Sequence, residues 1–407
     1  MKFSKLSQLF LVSTIGLIGS ALLTSCAINT IDYVFVGNSA GSSAGSAGQI
    51  QIYDADSGTG ALRPGQPTVP SGGVNPVSMA VTADYANLYV VNAGDSTTAG
   101  NVVHFAVAGN GVLTQKDILA SVTSPLAVAV NTAGTYLYVV SGPSPALITA
   151  YSLSSGTIGS AVATMPLTVP GFTSDTIIPT GVNVLTNNDA VYVAVYDQSA
   201  YNPGGATTSS ANPGWVFGYV AGSGGALTAA SNSPYKAGVK PSALISDPTN
   251  RFVYVTDFAS NELIGYTIQN GSTLDFLING PFKTGNEPTA IAIDPRGSYL
   301  YVTNGLDSTV SAFVITLSTG TPSAAVSSTG GASNTTDTTP VAVIVDPSLG
   351  RFVYTANQLG DTISGFVLNP NTGALQASIS TPYPTGATPA VVAAVPHGNH
   401  ATQAVSP

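Results

Sequence analysis

From about residue 31 onward, apolar side chains recur at every second position in short runs, separated by stretches rich in Gly, Pro, Ser, Thr and Asn. A period of two marks a strand, because successive side chains of a strand point to opposite faces. Three kinds of run follow one another in fixed order. The first is led by an aromatic residue: Phe35, Tyr89, Tyr138, Tyr192, Tyr254, Tyr301 and Tyr354. The second starts on proline and alternates small with aliphatic residues, at Pro76, Pro125, Pro179, Pro241, Pro288, Pro340 and Pro389. The third ends on an aromatic, at Tyr53, Phe105, Tyr151, Tyr219, Tyr266, Phe313 and Phe366.

Each run occurs seven times, and the first six prolines stand 13 or 14 residues before a tyrosine of the first kind. A period of 47 to 62 residues predicts a propeller or a solenoid. The two ends of the chain decide between them. No proline-led run precedes Phe35, and no tyrosine-led run follows Pro389, so each end lacks what the other supplies. An open solenoid would carry capping repeats there. The pattern instead predicts an all-β, seven-bladed β-propeller of four-stranded blades over residues 31–396, closed by the C-terminal strand completing the N-terminal blade.

Composition sharpens this picture. Of 407 residues only 7% are charged, against 44% hydrophobic, with 44 Gly and 27 Pro. Ion-pair networks and coiled coils need far more Glu, Lys and Arg. With 10 basic and 19 acidic residues the chain has no basic patch to displace DNA counterions, so nucleic acid is not an expected partner. A monomer is expected.

The N-terminus reads as an export signal. Lys2 and Lys5 precede an uncharged apolar run from Leu9 to Leu23, too short to span a bilayer comfortably. Leu23-Thr24-Ser25-Cys26 resembles the bacterial lipobox, which implies cleavage before Cys26 and a lipid on its thiol. Residues 1–25 are then the signal peptide, 26–30 the lipidated cysteine and a short tether, and 397–407 a flexible tail. The membrane becomes a partner through the anchor, and Ala27 after the cysteine points, by the same resemblance, to the outer membrane of the cell envelope. Cys26 is the only cysteine, so no disulfide forms within the chain.

Leu300-Tyr301-Val302-Thr303-Asn304 contains the motif of the YVTN β-propeller repeats, and the layout of residues 31–396 is similar to bacterial propellers of the lactonase family, some of which resemble 6-phosphogluconolactonase. The resemblance implies the propeller fold and, as one possible activity, lactone hydrolysis.

In a propeller the loops entering the innermost strands share one face with those joining the second and third strands. That face collects Asn92, Asp257, Asn304 and Asn357 at strand ends, and Lys240 and Glu287 immediately before prolines. These are the ligand-binding candidates. Lys240 and Glu287 stand out because equivalent positions hold Asn75, Ser124, Ile178, Thr339 and Thr388. Asn and Asp also end strands simply to satisfy turn backbone.

Histidine is scarce: His104 sits at an interblade position, and His397 and His400 follow the last strand. No catalytic constellation, cofactor or metal is read from these residues. Arg251, Arg296 and Arg351 belong to turns on the opposite face, which disfavours a phosphorylated lactone. The segment from Tyr201 to Gly214 predicts a long projecting loop. Two functions remain open: an envelope binding or scaffold module for a protein or glycan, and an exported hydrolase of unphosphorylated lactones.

Overall fold

The computed structural model describes residues 29–39, 45–120, 122–143, 145–171, 176–199, 214–324 and 333–398. Cys26, His400 and nearly all of the segment from Tyr201 to Gly214 lie outside the described residues. The strands form seven antiparallel sheets. In blade 1, Thr30–Asn38 pairs on one side with Gln49–Asp56 and on the other with Pro389–Pro396, so the last strand is the innermost strand of the first blade. The innermost strands pack in ring order, and Pro389–Pro396 lies against both Pro340–Val345 of blade 7 and Pro76–Val81 of blade 2. The ring is closed as the unmatched ends predict.

Stability comes from seven apolar clusters, one for each seam between adjacent blades. Both faces of a blade are buried, which explains why the second strands are apolar almost throughout, as in Phe252–Asp257 and Tyr299–Asn304. Burial of this kind stabilises by roughly 25 cal/mol per Å² of apolar surface and does not require surface charge.

The repeated tyrosine has a second task. Tyr89, Tyr192, Tyr254, Tyr301 and Tyr354 are fully buried. Their hydroxyls donate across the seam to backbone carbonyls of the next blade: Gly156, Ser272, Gly320, Gly373 and Gly60. A buried phenol needs such a partner, and burial pushes its pKa up. The acceptor glycines Gly320 and Gly373 have left-handed backbone, at φ 72° and 71°, and press on Phe252 and Tyr299 so closely that a Cβ would collide.

Two features go beyond the sequence reading. In blades 4 to 7 the outer strand is short, as in Thr273–Phe276 and Leu375–Ala377, and leaves part of the third strand's edge open. A second short segment covers that edge: Tyr235–Lys236, Phe282–Lys283, Ser333–Thr335 or Tyr383–Pro384. Every innermost strand also carries a β-bulge just after its proline, for example between Pro241 and Ala243 and between Pro288 and Ala290. The bulged Ser242 and Thr289 donate to the carbonyls of Pro288 and Pro340, at 2.6 and 2.7 Å, tying neighbouring blades around the channel.

Candidate active site

The antiparallel pairing puts the residue before each innermost proline beside the loop that follows the second strand. The Gly305 amide donates to the Glu287 carbonyl at 2.8 Å, and the Phe258 amide to that of Lys240 at 2.9 Å. These pre-proline residues ring the channel mouth. Five of them share left-handed backbone: Asn75, Ser124, Glu287, Thr339 and Thr388, with φ between 47° and 57°. Such backbone is uncommon for residues other than glycine and disfavoured before proline. It recurs at five of the seven bulged entries and not at Ile178 or Lys240, so the bulge permits it without imposing it, and Glu287 accepts it without the small polar side chain that eases it in Asn75.

Of the candidates named from sequence, Lys240 and Glu287 lie at the mouth on adjacent blades. The Lys240 ammonium stands 4.0 Å from the centre of the Phe258 ring and 5.5 Å from that of Tyr196. Burial pushes its pKa below the ordinary lysine value, and the Glu287 carboxylate pulls the other way. The Glu287 carboxylate therefore favours the charged form of Lys240. Glu287 is anchored at both backbone groups, its amide donating to Asn261 Oδ1 at 2.8 Å.

Asp257 and Asn304 lie directly beneath, fully buried. Asp257 accepts the Val239, Lys240 and Ala259 amides at 2.7, 2.9 and 3.1 Å, so it positions Lys240. Asn304 accepts the Gly285 amide at 3.0 Å and donates to Thr309 and Ser311, while Asp307 accepts from Asn286. Together these two hold the loop that ends in Glu287.

Asn92 and Asn357 are buried as well. Asn92 bonds Ser71 and Asn101, and Asn357 bonds Thr362 and Ser364. They clamp their own blades away from the charged pair.

Phe258 was not among the residues singled out from sequence. A signal was present: the equivalent position holds Ser39, Ala93, Gly142, Gln198, Gly305 and Gln358 in the other blades. The comparison that isolates Lys240 and Glu287 isolates Phe258 too.

His104 is buried at a seam, stacked on Tyr89 at 5.1 Å, with its ring nitrogens 2.8 Å from Asp117 and Asn87. All three partners belong to the blade of His104, so the ring ties neighbouring strands of one blade together. On the opposite face Arg296 is bound to Asp294 and to the Leu349 and Gly350 carbonyls, while Arg251 and Arg351 lie over Phe252 and Phe352. Among the described residues no three His, Cys, Asp or Glu side chains converge as metal ligands, and no helix is long and apolar enough to cross a membrane.

A closed ring of seven blades with one charged, aromatic-flanked pair at its mouth defines a propeller whose architecture is uniform and whose chemistry is local. The chain belongs to the lactonase family of seven-bladed β-propellers, whose model matches residues 111–400. Among solved structures it is similar to a periplasmic gluconolactonase of Pseudomonas aeruginosa, with 19% identity and a TM-score of 0.72, covering 90% of this chain and 99% of that one. It is also similar to a Bacteroides fragilis protein assigned provisionally as a 6-phosphogluconolactonase, with 17% identity and a TM-score of 0.70, covering 91% and 99%. Among curated proteins none matches it by sequence.

Proposed function

We propose that the protein is an exported, lipid-anchored hydrolase of unphosphorylated lactones, working at the channel mouth. The observation that carries this reading is the Lys240–Glu287 pair, which breaks the repeat at two adjacent positions of a lactonase-family propeller. Lactone opening needs a base for water and a donor for the oxygen that leaves. Glu287 takes a proton from water as its oxygen attacks the carbonyl carbon. Lys240 stabilises the developing oxyanion and, with its pKa lowered by burial, gives a proton to the ring oxygen as the C–O bond breaks. The product is the open hydroxy acid; the proton held by Glu287 returns to Lys240 by way of solvent, which restores both groups, and the acid's own proton is released to the buffer.

Among the described residues Lys240 is the lysine placed at this mouth, and Arg251, Arg296 and Arg351 are engaged on the far face, so the reading favours an uncharged substrate over a phosphorylated one. Export is supported by the lipobox-like Leu23-Thr24-Ser25-Cys26 and agrees with the periplasmic setting named for the Pseudomonas structure.

The test is the rate of acid release, above the buffer rate, from a sugar lactone and its 6-phospho derivative. Faster opening of the uncharged lactone is expected. Preference for the phosphorylated one would overturn the substrate assignment. No opening of any lactone would return the mouth to the envelope binding or scaffold role.

A further inference from the structure

The mouth is not uniform around the ring. Two residues beyond the end of the second strand, blades 6 and 7 carry Leu306 and Leu359, where other blades carry Ala40, Gly94, Pro143, Ser199 and Ala259. The two leucines are 65% and 70% exposed. Nothing in the fold requires them. Their turns work elsewhere with small or polar residues, and the neighbouring Asp307 and Asp361 do the bonding, to Asn286 and to the Thr388 amide.

Both leucines are tied closely to the pre-proline ring. Leu306 follows Gly305, whose amide bonds Glu287, and Leu359 follows Gln358, whose amide bonds the Thr339 carbonyl at 2.8 Å. Phe258 occupies the adjoining rim of blade 5, over Lys240. Three consecutive blades thus present large apolar side chains in the turns beside the charged pair, while the same turns of the other four blades carry small or polar residues and Pro143. Single exposed apolar residues are ordinary, but a run of repeat-breaking ones next to a candidate site is not.

Resting on the hydrolase reading above, we infer that the substrate is a lactone bearing an aliphatic chain: the ring lies between Lys240 and Glu287, and the chain lies along Phe258, Leu306 and Leu359. The chain is the occupant the geometry favours, because the three apolar residues stand on consecutive blades in the turns that adjoin the residues that would open the ring, Leu306 following Gly305, whose amide bonds the Glu287 carbonyl. A free sugar lactone would leave the strip uncovered.

The test is a homologous series of γ-lactones with side chains from hydrogen to octyl. The protein's kcat/KM is measured for the lactones, and calorimetric affinity for the matching lactams, which resist hydrolysis. Each added methylene is expected to raise both by about twofold to fourfold until the strip is covered. The double variant Leu306→Ser, Leu359→Ser loses that gain. Leu317→Ser keeps it, because Leu317 is exposed in the turn after Thr309–Thr316, on the opposite face.

A gain in lactam affinity without lactone opening would uphold the aliphatic site and remove the hydrolase reading. Opening of short lactones with no gain in either measurement would uphold the hydrolase and overturn the chain. A gain that survives the double variant would also overturn it.

Discussion

The channel mouth and the strand ends just beneath it use similar residues to opposite purposes. Beneath, Asp257 and Asn304 are sealed from solvent and spend their polar atoms on backbone amides and hydroxyls of their own blade. At the mouth, Glu287 and Lys240 are partly exposed, the Glu287 carboxylate favours the charged form of Lys240, and both stand where the repeat elsewhere has neutral residues. The difference teaches how to read a repeat protein: what recurs is holding the ring, and what departs is available for chemistry.

The largest effect should come from breaking the lower tier. Asp257→Ala leaves three backbone amides without their acceptor, and at roughly 1 kcal/mol or more for each the loss should reach about 3 kcal/mol. Urea unfolding would measure it. Activity should fall as well, because Lys240 loses its anchor, so a variant of unchanged stability would erase the distinction between tiers.

A buried carboxyl on the far face provides an intermediate test. Asp32 is fully buried at the closing seam, where it accepts from Ser348. Burial, and then the Asp346 carboxylate, raise its pKa well above the ordinary 3.8, while the Ser348 bond opposes the shift. Since the folded value is raised, its contribution is complete below pH 3.8 and is lost as pH rises through the folded value. Asp32→Asn stays neutral throughout. The difference in unfolding free energy between wild type and variant should therefore move steadily in the variant's favour with rising pH. A difference independent of pH would mean that the Asp32 carboxyl has the same pKa folded and unfolded.

The smallest effect is expected at the mouth. Glu287 holds φ 53°, which glycine adopts without strain. Glu287→Gly should raise stability by about 1 kcal/mol, offset in part by glycine's greater freedom when unfolded. Denaturant titration reading a loss of several kcal/mol would place Glu287 among the holding residues instead.

Much of this could be read from the chain alone. Seven prolines and seven aromatic-led strands, with one unmatched run at each end, are enough to specify blade number and closure, because those residues act through packing that repeats. The unmatched Pro389 and Phe35 carried the closure. Lys240 and Glu287 were legible for the opposite reason, as exceptions. What escaped was three-dimensional and local. The bulge after each proline leaves the sequence pattern intact and alters only pairing. The covering segments such as Phe282–Lys283 are two or three residues long, below the length at which a period shows. The buried state of Asn92 and Asn357 depends on which hydroxyls the next strand brings, and an asparagine at a strand end reads the same whether it faces a ligand or a serine.

The most direct test of the central claim is the rate of lactone opening by Glu287→Gln, measured beside its thermal melting. This substitution keeps size and removes only the charge that accepts a proton. A fall in kcat of about a hundredfold or more with melting unchanged is expected, in line with the loss of a general base. An unchanged rate in a normally folded variant would contradict it and leave the mouth's charged pair without a catalytic role.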